Sequence, residues 1–106
     1  MIGSVISKNG IEIRVTSERW SHITEAHDYM AGNLDIVLET IEDPDIIIDS
    51  GKDELIAIKY YPKTSISKKD MVVIYKEQGS DGFVITSFMT SKKEKIIKKG
   101  VIWKRD

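Results

Sequence analysis

The chain has 106 residues, a formal net charge of −1 and no cysteine. That length suits one domain with one core, spanning 1–106. No apolar run approaches the ~18 residues of a membrane span. Disulfides and thiolate metal sites are excluded, and the absence of cysteine fits a reducing, cytoplasmic setting. The start, MIGSVISKNG, lacks the basic, apolar and small-residue regions of a secretory signal.

The small net charge hides a polarity. Residues 1–58 hold twelve acids and four bases, whereas residues 59–106 hold twelve bases and five acids. A chain divided this way either presents a basic face to an anion such as nucleic acid, or neutralises itself within one fold.

The first element expected is a hairpin in VISKNGIEIRVT, residues 5–16. Asn9-Gly10 suits a two-residue turn with positive φ at both positions, and Ile11, Ile13 and Val15 alternate with charged residues. Thr16 or Ser17 can cap a helix over about 18–30. Trp20, Ile23, His27 and Met30 share one stripe of it. AGN at 31–33 breaks that helix, and Asn33 caps a second one. Its apolar face is Leu34, Val37, Leu38 and Ile41, and Pro44 ends it at Asp43.

Strands follow. DIIID (45–49) is short and apolar, SGK (50–52) is a turn, and ELIAIKYYP (54–62) alternates. A polar loop is expected at 63–69, a strand at 70–77, a turn at 78–82 and a strand at 83–91. KKEKIIKKG (92–100) reads as a short basic helix ended by Gly100, and VIWKR (101–105) as an edge strand or tail. The order predicts an α+β fold. An N-terminal hairpin and two helices pack on one face of a mostly antiparallel sheet of about four strands.

His22 and His27 are the chain's two histidines. On one helix they point ~140° apart, so they cannot share a metal as an i, i+4 pair does. His27 reads as a packed core imidazole or as a working acid/base. His22 lies on the flank, as a solvated residue or as an acid/base at a cleft rim, since an imidazole trades protons near neutral pH. Lys59 and Lys76 lie inside strands and share faces with apolar residues. They either snorkel at a sheet edge or line a concave face that binds phosphate. Thr86 and Thr90 fall on one strand face with Val84 and Phe88, where hydroxyls can position a phosphate or simply favour a strand. No nucleophile elbow, phosphate loop, dinucleotide fingerprint or zinc-helix motif is present, so no cofactor is expected.

Together, RWSHITEAH, LETIEDPDIII, ELIAIKYY, MVVIYKE and FVITSFMTS form a pattern over about 18–92 that resembles the phage barnase–EndoU–colicin–RelE-like nucleases. The resemblance implies a BECR-fold domain and metal-independent RNA cleavage by 2′-hydroxyl transesterification. It implies His22 and His27 as catalytic base and acid, Lys76 as the charge stabiliser, and Thr86 and Thr90 as phosphate-positioning hydroxyls. Arg19 and Lys59 are second-tier substrate-binding candidates. Expected partners are RNA and a cognate antitoxin or immunity protein, with no membrane. Where some relatives carry an arginine before the second histidine, this chain has Ala26. The alternative is a non-enzymatic RNA- or protein-binding module on the same fold. A third reading uses the acids Glu39, Glu42, Asp43 and Asp45 to hold a partner.

Overall fold

The computed structural model describes residues 2–62, 69–98 and 100–105. The polar loop expected at 63–69 lies, except for Lys69, outside the described residues. Seven strands run in the order β1-β2-β6-β5-β4-β3-β7: β1 Gly3–Ile6, β2 Glu12–Val15, β3 Ile46–Gly51, β4 Glu54–Tyr61, β5 Lys69–Gln78, β6 Asp81–Thr90 and β7 Val101–Lys104. Among the described residues three α-helices accompany them, α1 Ser17–Ala26, α2 Leu34–Glu42 and α3 Glu94–Ile97, with a 3₁₀ turn at Asp28–Met30.

The expectation of about four antiparallel strands under two helices is therefore corrected. The sheet is mixed and has seven strands. The N-terminal hairpin does not stand apart; β2 joins β6 in parallel, with Glu12 opposite Asp81 and Arg14 opposite Phe83. The chain crosses the sheet through α1 and α2 and then returns as the meander β3-β4-β5-β6. It crosses again through α3 to place β7 outside β3.

The two crossings cover opposite faces. α1 and α2 bury Ile23, Val37 and Ile41 against Ile13, Val15, Leu55, Ala57, Val73, Tyr75 and Val84. On the other face Ile96 and Ile97 of α3 pack on Ile46, Ile48, Ile56, Ile58 and Val72. A strand covered on both faces reads as an unbroken apolar run, which accounts for Ile46-Ile47-Ile48. α3 is shorter than the 92–100 helix expected.

Gly82 makes the parallel junction possible. A Cβ there would stand 2.4 Å from Ile13 Cδ1 and 2.8 Å from the Lys76 carbonyl oxygen, so only glycine lets β2 and β5 flank β6 this closely.

Local chemistry explains several boundaries. Thr16 caps α1 by accepting from the Arg19 amide. Asn33 occupies the cap position of α2, but its side chain donates to the Tyr29 carbonyl instead. The first hairpin is wider than a two-residue turn. Ser7 to Gly10 forms the turn, and φ is positive at Gly10 but not at Asn9. The tight turn is at β3–β4, where Lys52 and Asp53 take φ of 54° and 65°.

Candidate functional site

Helix α1 is shorter than periodicity suggests. It ends at Ala26, and His27 is its C-cap with φ −136° and ψ 83°. The Thr24 hydroxyl bonds back to the Trp20 carbonyl, a contact that loosens a helix near its end. Leaving the helix frees the His27 ring from the stripe. The ~140° separation of the two histidines, which assumes one regular helix, does not apply.

β2 pairs with β6 only as far as Phe83, which among the described residues leaves the remainder of β6 without a strand on that side, and α1 packs against β6. At the end of that remainder, Tyr29 Oη accepts a hydrogen bond from the Met89 amide at 3.2 Å. The same oxygen lies 3.4 Å from His27 Nδ1. The His27 ring also sits 5.9 Å from the Phe88 ring, centroid to centroid. His27 and Tyr29 are half-buried.

This arrangement allows two working imidazole states. With one oxygen lone pair holding the Met89 N–H, Tyr29 can accept from Nδ1–H, which leaves Nε2 bare as a base. In the imidazolium both nitrogens carry protons, so Nδ1–H still donates to Tyr29 and Nε2–H is the acid; a hydroxyl donating to Nδ1 instead marks the neutral Nε2–H tautomer, which serves as neither. No described group bonds Nε2.

His22 is exposed on α1. No hydrogen bond or ring contact joins it to His27 among the described residues.

The lysines separate. Lys59 lies opposite Met71 on the α2 face, and Lys76 lies opposite Glu54 on the other face. Lys59 Nζ donates to the Asp43 carbonyl at 2.9 Å and to its carboxylate at 3.0 Å. Arg105 joins the same carboxylate and reaches Asp45 at 3.2 Å. The hydrogen bond from Lys59, followed by that from Arg105, holds the Asp43 carboxyl below its ordinary range. These pairs tie the acidic first half to the basic second half, so Lys59 is committed to a structural partner. Glu39 accepts from the Tyr61 hydroxyl, and burial pushes that phenol's pKa up.

A bulge rearranges β6. Ile74 pairs with Thr86, but Tyr75 pairs with Val84, and Ile85 is the extra residue. Val84 therefore turns into the helix-side core with Ser87 and Met89, while Phe83 joins the side that carries Thr86 and Phe88. Strict alternation over 83–91 predicts the reverse for both Val84 and Phe83. Thr86 is half-buried on the side of Phe88. Thr90 accepts from the Lys92 amide and stands opposite Asp70, itself 3.4 Å from Lys93 Nζ. A buried carboxylate beside it disfavours phosphate there.

Tyr29, Phe88, Arg14 and Phe83 belong to these clusters and were not singled out by sequence reasoning. The aromatic positions flanking the threonines of FVITSFMT were the available signal. Arg19 lines a cavity of about 260 Å³ with Arg14, Thr16, Phe83 and Val84.

Among the described residues no three of His, Asp and Glu gather as a metal-ligand set, and no helix is long and apolar enough to cross a membrane. Comparisons with protein-family models, with curated proteins and with solved structures give no match to this chain.

Proposed function

We propose that this chain is a small endoribonuclease that cleaves RNA without a metal, with His27 as its working imidazole. The observation that supports this reading is the contact of His27 with Tyr29, whose oxygen is itself fixed on the Met89 amide at the edge of β6. A base held by a second group, next to an aromatic ring and with a threonine two positions along the same strand, has the parts that transesterification uses.

In the proposed step, His27 Nε2 takes the proton of the substrate 2′-hydroxyl as that oxygen bonds to phosphorus. The bond from phosphorus to the 5′-oxygen breaks, and the 5′-oxygen takes a proton from solvent. The products are a 2′,3′-cyclic phosphate and a 5′-hydroxyl. Thr86 donates to a phosphate oxygen, and Phe88 offers a face to a base. His22 and Thr90 leave the catalytic set, and Lys59 leaves the substrate-binding one. Lys76 moves to the binding surface: it lies four residues along β5 from Val72, the partner of Phe88, or ~13 Å at ~3.3 Å per residue.

The test is an RNA oligonucleotide and its copy with a single 2′-deoxy sugar at the cut position. The reading expects cleavage of the first, with a cyclic phosphate end, and none of the second. Cleavage of both sends the mechanism elsewhere. A second reading, an RNA-binding module without catalysis, is favoured by one observation: among the described residues the side-chain neighbours shown for His27 are Tyr29 and Phe88, with no lysine or arginine among them to balance a developing phosphorane charge.

A further inference from the structure

At the opposite end of α1 from His27, three neighbouring strands place Arg14, Phe83 and Lys76 side by side in register, on the face away from α2. Phe83 is 38% exposed although it lies in the middle of a sheet. Facing cross-strand neighbours stand ~5 Å apart at Cβ, so the ring has a cation on either side. Arg19 adds a third from α1 and lines the 260 Å³ cavity together with Arg14 and Phe83. Arg14 also pairs with Asp81 at 2.6 Å, but both side chains are about half exposed. Such a pair contributes little and leaves other guanidinium N–H groups free. An exposed aromatic face between cations fits a nucleobase with its phosphate, because stacking needs a π-face and a phosphodiester needs the fork of an arginine.

We propose that this cavity is a second nucleotide subsite of the same strand that enters at His27. It would bind one base on Phe83 and its phosphate between Arg14 and Arg19, with Lys76 on the flank. The inference rests on the ribonuclease reading for its second end but not for its chemistry. The ten residues of α1 separate the two ends, which is ~15 Å at ~1.5 Å per residue. A stacked strand rises ~3.4 Å per nucleotide, so the subsite lies about four nucleotides from the cleaved bond. Thr86 lies between the two ends on β6.

The experiment measures binding of an uncleavable 2′-O-methyl octanucleotide and of its dinucleotide at low salt, using Arg19→Ala, Phe83→Ala and His27→Ala. All three positions are at least partly exposed, and thermal melting checks that each variant is folded. Phe83→Tyr keeps the stacking face and is the control that retains binding. The expected result is an octamer affinity lowered about tenfold by Arg19→Ala or Phe83→Ala, since a stacked base is worth ~1–3 kcal/mol. The dinucleotide, which spans one end only, should lose affinity in Arg19→Ala and Phe83→Ala and keep it in His27→Ala, because the cations lie at the subsite. Arg19→Ala should also reduce the dependence of log K on log salt by ~0.7, the share of one phosphate on a single strand. Unchanged octamer affinity in both variants overturns the subsite, as does a wild-type chain that binds no octamer. Octamer binding that depends on Phe83, in a chain that cuts no RNA, keeps the subsite and removes the ribonuclease reading.

Discussion

One oxygen joins His27 to the sheet. Tyr29 Oη stands 3.4 Å from His27 Nδ1 and accepts the Met89 amide at 3.2 Å, so the position of the imidazole is set by the outer edge of β6. Tyr29→Phe keeps the ring and deletes that oxygen. It leaves the Met89 N–H unpaired, at a cost of ~1–3 kcal/mol. Urea unfolding should show that loss. The RNA cleavage rate should fall about tenfold or more with KM little changed, because the imidazole is then unheld rather than removed. Full activity in a destabilised Tyr29→Phe chain would make the contact structural only.

The Asp43 cluster sets an acid limit on stability. Asp43 is held below its ordinary value by Lys59 and Arg105, so the folded chain binds that proton less readily than the unfolded chain. The stabilisation is present above the ordinary carboxylate value of ~4 and is lost as pH falls through the lowered folded value. Urea midpoints measured from pH 7 down to pH 2.5 should drop steeply below about pH 4 in the wild type. They should drop less steeply in Asp43→Asn, which starts lower.

The β3–β4 turn carries avoidable strain. Lys52 and Asp53 both take left-handed φ, a conformation that costs a side chain roughly 1 kcal/mol and that Asn-Gly adopts freely. The double change Lys52→Asn, Asp53→Gly should stabilise by about 1 kcal/mol and raise Tm by about 4–6 °C. An unchanged or lower Tm in scanning calorimetry would mean that the turn relaxes.

Gly82 is the reverse case. Gly82→Ala forces a Cβ into the Lys76 carbonyl and Ile13. Backbone on one side and a buried side chain on the other give it nowhere to go. A loss of about 1–3 kcal/mol is expected, with faster amide exchange in β1 and β2 than in β4 and β5. Uniform exchange across the sheet would contradict the parallel junction as the weak point.

These features differ in how far the residues announce them. The strands at Glu54–Tyr61 and Lys69–Gln78 are legible because each holds a short continuous apolar run, Leu55–Ile58 and Met71–Tyr75, containing β-branched residues. Thr16 is legible as a cap because its hydroxyl has a local partner, the Arg19 amide. The size and mixed pairing of the sheet were not legible. Whether the hairpin and VIWKR pair with the main sheet depends on crossings that no local pattern encodes. The Ile85 bulge reverses the sides of Phe83 and Val84, and one extra residue leaves no mark on composition. His27 was misread for a related reason. Its spacing with Ile23 and Met30 continues a helical stripe, but the Tyr29 bond to Met89 is a contact 60 residues away, and it coincides with the helix ending at Ala26. Lys59 looked available until Asp43 was placed beside it.

The most direct measurement is cleavage of a fluorescent single-stranded RNA in excess EDTA by the wild-type chain, His27→Ala and His22→Ala, each checked for folding by circular dichroism. The account predicts cleavage by the wild type and by His22→Ala, with loss of at least about a hundredfold in His27→Ala, the scale of one acid/base group. Cleavage that survives in folded His27→Ala, or that disappears in His22→Ala instead, would contradict it.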